Sequence, residues 1–145
     1  MAAQIKKLVR PRALMSQAEL DEAVRRHEWY LSGRLGGQRA LLSYRDLSGL
    51  NLAGQRLNDA DFTGAFLPNA QMAGANLTSA NLFGCNLTRA DLREAILVRA
   101  DLRGAVLRGA NLEGTEQSNS DDFGRLLLGE RTQRHRNNTG AKRNQ

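Results

Sequence analysis

Large apolar residues recur at every fifth position from Leu47 to Leu112, fourteen in succession, and the register never slips. They are Leu47, Leu52, Leu57, Phe62, Leu67, Met72, Leu77, Leu82, Leu87, Leu92, Leu97, Leu102, Leu107 and Leu112. Two places before them, Ala holds ten of the eleven positions from Ala60 to Ala110, and Cys85 is the one departure. A period of five fits neither a helix at 3.6 nor a strand at 2, so no single regular element carries it. Within a unit, residues two apart share a face of an extended chain, so the Ala and the large apolar residue point together. The residue between them points away and is usually polar, as at Asp46, Asn51, Asp61, Gln71, Asn76, Asn81, Asn86, Asp91, Asp101 and Asn111. The second residue after the large apolar one is Gly in eight of fourteen units, and Asp59, Asn69 and Ser79 fill three more. Those residue types favour turns. Each unit is therefore a very short strand followed by a turn.

Such a unit does not fold alone. Burying one Leu returns about 1.5–3 kcal/mol, less than the cost of ordering five backbones at about 1–2 kcal/mol each. Successive turns must stack and share one core, as in a solenoid. The runs Ala75-Asn76-Leu77-Thr78-Ser79, Ala80-Asn81-Leu82-Phe83-Gly84 and Ala90-Asp91-Leu92-Arg93-Glu94 resemble the A-(D/N)-L-x-x units of the pentapeptide repeat family. The likeness covers Ala40 to Gly114, fifteen units including a weak first one at Ala40-Leu41-Leu42. It implies an all-β fold: a right-handed, quadrilateral parallel β-helix with four units per coil, hence nearly four coils from fifteen units. Arg45, Leu50 and Gln55 depart from the family's small residue, all in the first coil, where one side of the core has no layer beneath it. Pro68 sits at an outward turn position, which tolerates a missing N–H.

The flanks set the expected organisation. Residues 1–15 form a basic N-terminal segment with Lys6, Lys7, Arg10 and Arg12. Over 16–39, Ser16 with Glu19 makes a capping box, and Leu20, Val24, His27 and Leu31 recur at helical spacing before Gly33 and Gly36-Gly37. This segment predicts a helix and Gly-rich turn capping the open strand edges of the first coil. The stretch His27 to Leu31, the turn and Arg39-Ala40-Leu41 are also similar to the leader of small bacterial and phage pentapeptide repeat proteins. The β-helix itself is expected over 40–114, with Glu116, Gln117 and Ser118 breaking the pattern. A short helical C-terminal cap follows over 115–129, where Leu126 to Leu128 supply apolar cover, and residues 130–145 read as a disordered basic tail.

Charge and chemistry narrow the function classes. The net charge of +6 divides as eight bases and four acids in residues 1–44, seven and seven in 45–114, and six and four in 115–145. The array is neutral and its flanks are basic. Some members of the resembled family shield DNA gyrase by imitating DNA, but imitation of a phosphate backbone needs rows of carboxylates that this array lacks. Regulation or protection of a type II topoisomerase is therefore the disfavoured alternative, alongside weak nucleic-acid binding through the basic tails. The late arginines Arg89, Arg93, Arg99, Arg103 and Arg108 spread around the perimeter. Arg93 is expected beside Glu113, and Arg103 beside Phe83 in a cation–π contact.

No catalytic set, cofactor motif or metal-ligand spacing emerges, because His27 and His135 have no partner ligands nearby in sequence. The narrow Leu and Ala core leaves no small-molecule pocket. No long apolar run marks a membrane span. One cysteine, Cys85, fits a small buried hydrophobe in a reducing, cytoplasmic setting. The reading is a non-enzymatic, rigid protein–protein interaction rod with an unidentified protein partner. Its candidate surface is Phe66, Phe83, Ile96 and Val106, apolar at outward sites, with Arg89, Arg93, Arg103 and Arg108. Several members of the resembled family pair end to end, which extends to this chain the expectation of a homodimer through the C-terminal coil.

Overall fold

The structure is a computed structural model, and it describes residues 13–117. Twelve parallel bridges join residues twenty apart, from Leu41 with Asp61 to Ile96 with Glu116. They define four ladders: Leu41, Asp61, Asn81 and Asp101 on face A; Asp46, Phe66, Asn86 and Val106 on face B; Asn51, Gln71, Asp91 and Asn111 on face C; Arg56, Asn76, Ile96 and Glu116 on face D. Four units thus make one coil, as the repeat implied.

The hydrogen bonds follow one rule. In each unit the middle residue turns both backbone groups down to the coil beneath, as Asp61 N–H does to Ala40 C=O at 3.0 Å and Asp61 C=O does to Leu42 N–H at 2.7 Å. Its two neighbours turn theirs up, as Phe62 N–H does to Asn81 C=O at 2.8 Å. The turn then closes on itself, for example Ala60 N–H to Leu57 C=O at 3.1 Å. Its second residue needs a positive φ, which Gly supplies at Gly84 (70°). Tyr44, Arg89, Glu94 and Arg99 meet the same need without Gly, at φ of 57 to 61°. The backbone demand overrides their side-chain preference because the layers above and below fix the chain.

Inside, the Ala and Leu positions from Ala60 to Leu112 are buried, and Phe62 and Met72 are fully so. Cys85 stands fully buried in an Ala site. Its thiol donates to Phe62 C=O at 2.8 Å, and burial raises its pKa to about 12. A thiolate is thereby disfavoured, and the residue packs as a small hydrophobe.

Two boundaries differ from the sequence reading. The coil does not stop at Gly114: Thr115 is fully buried in the next Ala site, and Glu116 bridges to Ile96. Thr is accepted there because its hydroxyl donates to Leu112 C=O at 3.0 Å, so no buried polar group is left unpaired. At the other end, β1 (Ala13–Leu14) pairs in parallel with β2 (Arg45–Asp46), Ala13 beside Arg45 and Leu14 beside Asp46. Leu14 faces outward while Met15 packs against the core. Ala13-Leu14-Met15 is therefore a detached unit beneath face B, hidden because Met replaces Leu and no periodic neighbour flags it.

Helix α1 (Gln17–Leu31) starts at Ser16, whose side chain accepts from Glu19 N–H while Glu19 accepts from Ser16 N–H, the expected capping box. Leu20, Val24 and His27 are buried toward the first coil. Arg45 and Leu50, half-buried here, and exposed Gln55 occupy that coil without a layer of repeats beneath it. Gly37 approaches α1 so closely that an added Cβ would strike the Trp29 and Tyr30 backbone. His27 ties the helix to the coil at two points. Its Nδ1 accepts from Ala40 N–H at 2.9 Å, and its Nε2 lies 2.8 Å from Asn58 C=O. A carbonyl only accepts, so Nε2 carries the proton and the ring is neutral. Residues 1–12 and 118–145, including the expected C-terminal cap and tail, lie outside the described residues.

Ala80→Phe should lose about 1–3 kcal/mol or more by overpacking, while Arg93→Phe on the exposed corner should change stability by less than about 0.5 kcal/mol; equal thermal midpoints would refute the register. His27 supplies a second expectation. Burial pushes its pKa below the ordinary 6.5, outweighing the upward pull of the Asn58 carbonyl, Asp59 and Glu28, with Arg39 adding to the depression. The unfolded chain then binds the proton first, so stability is full above 6.5 and falls as pH drops below it, until the folded ring also titrates. Urea midpoints between about pH 7.5 and about pH 5.5 should decline in the native chain and flatten in His27→Gln.

Candidate interaction surface

The outward middle residues have a structural task. Nine of them, Asp46, Asn51, Asp61, Asn76, Asn81, Asn86, Asp91, Asp101 and Asn111, accept from the N–H two residues later. That N–H opens the turn and has no ladder partner. The Asp and Asn rows are thus Asx turns first and surface charge second. Where the next residue but one is Thr, its hydroxyl joins in, as Thr63 Oγ1 does to Asp61 at 2.6 Å. Burial pushes the Asp61 carboxyl up, but bonds from Thr63 and Ser43 outweigh it and leave its pKa below the ordinary value.

Against this rule the apolar substitutions sort into two kinds. Phe66 replaces an Asx residue where the N–H it would accept belongs to Pro68, which has none. Nothing is lost there, so Phe66 has a local structural reason. Ile96 and Val106 do lose something: the N–H groups of Val98 and Arg108 find no acceptor among the described residues. Both side chains are half-buried. Phe83 is 46% exposed, and Arg103 lies over its ring at 5.5 Å, the expected cation–π contact.

These four do not make one patch. Phe66 and Val106 share face B across Asn86, and Phe83 sits at the neighbouring A–B corner, but Ile96 is on face D. The arginines divide likewise: Arg103 at the A–B corner, Arg89 and Arg108 at B–C, Arg93 at C–D and Arg99 at D–A. No continuous basic stripe arises. Arg93 lies beside Glu113 in one cleft, as expected, and its guanidinium in addition grips Asp91 within its own unit at 2.8 and 2.6 Å. Glu113 acts on it through its field. Asp91 is close enough to capture it because both flank one Leu at the start of a tight turn. Arg103 holds Asp101 the same way, at 2.9 and 2.7 Å. Hydrogen bonding by these arginines lowers the pKa of Asp91 and Asp101.

Among the described residues no group of three or more His, Cys, Asp or Glu side chains is placed to hold a metal ion. Nor is any described helix long and apolar enough to cross a membrane. The clefts are open surface features. One of about 390 Å³ lies by Asn69, Arg89, Arg93 and Asn111, and one of about 510 Å³ by Ala73, Arg93, Glu94 and Glu113.

The family model described as pentapeptide repeats matches residues 38–70, 56–84 and 85–116, with eight copies. Among solved structures, HetL, a pentapeptide repeat protein involved in heterocyst differentiation regulation from the cyanobacterium Nostoc sp. strain PCC 7120, is 33% identical over 57% of this chain, with a TM-score of 0.52. The match spans only 43% of HetL. A second pentapeptide repeat protein from the same organism, alr5209, is 25% identical over 85% of this chain and 99% of its own, with a TM-score of 0.51. A comparison with curated proteins gave no match.

Val106→Asn and Ile96→Asn should each restore an Asx bond and raise stability by about 0.5–1 kcal/mol. Phe66→Asn should give no such gain, because Pro68 offers no hydrogen. Chemical denaturation of the three variants reads the difference, and a gain at Phe66 alone would contradict the assignment.

Proposed function

We propose that this chain, which belongs to the pentapeptide repeat family, is a non-catalytic interaction rod that binds a protein partner through its outward faces. The observation that carries this is the lost Asx bond beneath Ile96 and Val106. Nine comparable units keep that bond. A repeat that gives up a backbone hydrogen bond for an apolar surface group departs from local consistency, and such departures concentrate at functional positions. The ladders on either side hold each group rigidly, which lowers the entropic cost of binding. Faces B and D are opposite, so the rod engages its partner on two sides or engages two partners.

Other parts of the reading follow. Helix α1 serves as the cap of the first coil, supported by the Gln17, His27 and Glu28 contacts to it. A reducing, cytoplasmic setting suits the one buried free thiol. Likeness to a protein involved in regulating differentiation fits a rod that acts by contact rather than turnover. The test is affinity capture with the full chain and with the Ile96→Asn/Val106→Asn double variant. Loss of a defined partner by a variant that keeps the native circular dichroism spectrum is the expected result, and undiminished recovery would sink the proposal.

A further inference from the structure

The first coil presents four downward-facing edges, one per face, at Leu41, Asp46, Asn51 and Arg56. Three are guarded, each differently. Asp46 is covered by β1, with Met15 N–H donating to its C=O at 3.2 Å. Asn51 is matched by one side chain: Gln17 accepts from Asn51 N–H at 2.8 Å and donates to Asn51 C=O at 2.9 Å, so its amide imitates a strand. At Arg56 the backbone N–H and C=O also make no hydrogen bond among the described residues, but the side chain pairs with Glu28 of α1 at 2.6 Å, which places an ion pair beside that edge. Among the described residues Leu41 has no such cover. Its N–H and C=O make no hydrogen bond among the described residues, and its side chain is 64% exposed.

Beside this edge lies an open cleft of about 430 Å³. Its floor is apolar, with Met15, Ala23 and Leu42. Its rim carries Arg26, Arg39 and Arg45, and among the described residues no acidic one lines it. Arg26 is met by Glu22 at 2.7 Å, whereas Arg39 gives its Nε to a neutral carbonyl, that of Asp59, at 2.7 Å. An open strand edge, an apolar floor and a cationic rim are the three elements that recognise an extended acidic peptide: backbone pairing gives affinity, and alternate side chains give selectivity.

We infer that the Leu41 edge and its cleft form a strand-addition site for an extended, acidic segment of a partner protein. The inference rests on the reading of this chain as an interaction rod, and it names a place and partner chemistry separate from Ile96 and Val106. Docking adds one strand beneath Leu41 in the column of Asp61, Asn81 and Asp101. Alternate peptide side chains enter the cleft, and carboxylates meet Arg39.

The test is fluorescence anisotropy with the full chain and a labelled hexapeptide of alternating Val and Glu. Saturable binding is expected, with the Val–Lys counterpart and a backbone N-methylated Val–Glu peptide each about tenfold weaker or more. Arg39→Glu should abolish the preference for Glu over Lys while leaving the thermal midpoint within a few degrees. Absence of Val–Glu binding, indifference to N-methylation, or an unchanged preference in Arg39→Glu overturns the inference. So does tighter binding after removal of residues 1–12, which would give the edge to the chain's own start. A dimer dissociated by Arg39→Glu would give the edge to a second copy and overturn the inference equally. Partner capture that survives Arg39→Glu but is lost in Ile96→Asn/Val106→Asn would leave the rod reading standing while this site fails.

Discussion

Everything in this molecule depends on a backbone pairing at a fixed offset of twenty residues. Each middle residue sends both its polar groups down one layer, and its neighbours send theirs up, so every ladder bond locks two coils rather than two sequence neighbours. Burial of Leu and Ala alone would not impose this register. A slide of one unit along the chain would keep every Leu inside, because the units are nearly identical. What resists the slide is the closed four-unit coil, together with the departures that make layers distinguishable, such as Phe62, Met72 and Cys85 in the core. The apolar ladder stabilises the stack, and the polar ladder specifies it.

That division explains how much was legible in the sequence. Between Ala60 and Leu112 the inside was written in full, because a five-residue period leaves one arrangement of inward and outward positions. Phe83 with Arg103 was also readable, since residues a whole coil apart must stack. What escaped were features set by turn geometry rather than by period. The Asp and Asn rows looked like solvated surface, yet the Asx bonds exist because one N–H per turn has no ladder partner. Arg93 does lie beside Glu113 of the next coil, but its grip on Asp91 within its own unit was not legible. Phe66 looked equivalent to Val106, and only the missing hydrogen of Pro68 separates them. Ala13-Leu14-Met15 was invisible because a single isolated unit carries no period at all.

The turns also show where backbone strain is tolerated. Arg89, Glu94 and Arg99 occupy a left-handed conformation that costs an L residue roughly 1–2 kcal/mol. Glycine would relieve it, and glycine stands at Gly84, Gly104 and Gly109 close by. These three residues cluster in the same late repeats as Ile96 and Val106. Tyr44, Asp59, Asn69 and Ser79 take the same left-handed conformation, so strained turns run through the whole array, and among the described units from Asp46 onward only the Ile96 unit combines one, at Arg99, with a lost Asx bond beside an apolar side chain.

A stacked ladder solves its hydrogen-bonding problem everywhere except at its ends. The first coil meets that problem four times and answers with a strand, an amide, an ion pair and, at Leu41, nothing among the described residues. The three answers show that the chain has several ways to protect an edge, so a residue comparable to Gln17 opposite Leu41 would have been within reach of the same helix. Exposed edges invite pairing with other chains, and proteins normally suppress them. Leaving one open while lining it with Ala23, Leu42 and cationic side chains turns a liability into a selective one: acidic strands are drawn in and basic strands are repelled. The faces and the end therefore follow the same logic. In both, the repeat sets a local rule strict enough that each breach can be recognised, and the breaches put apolar surface and unpaired backbone where a second protein would supply what is missing.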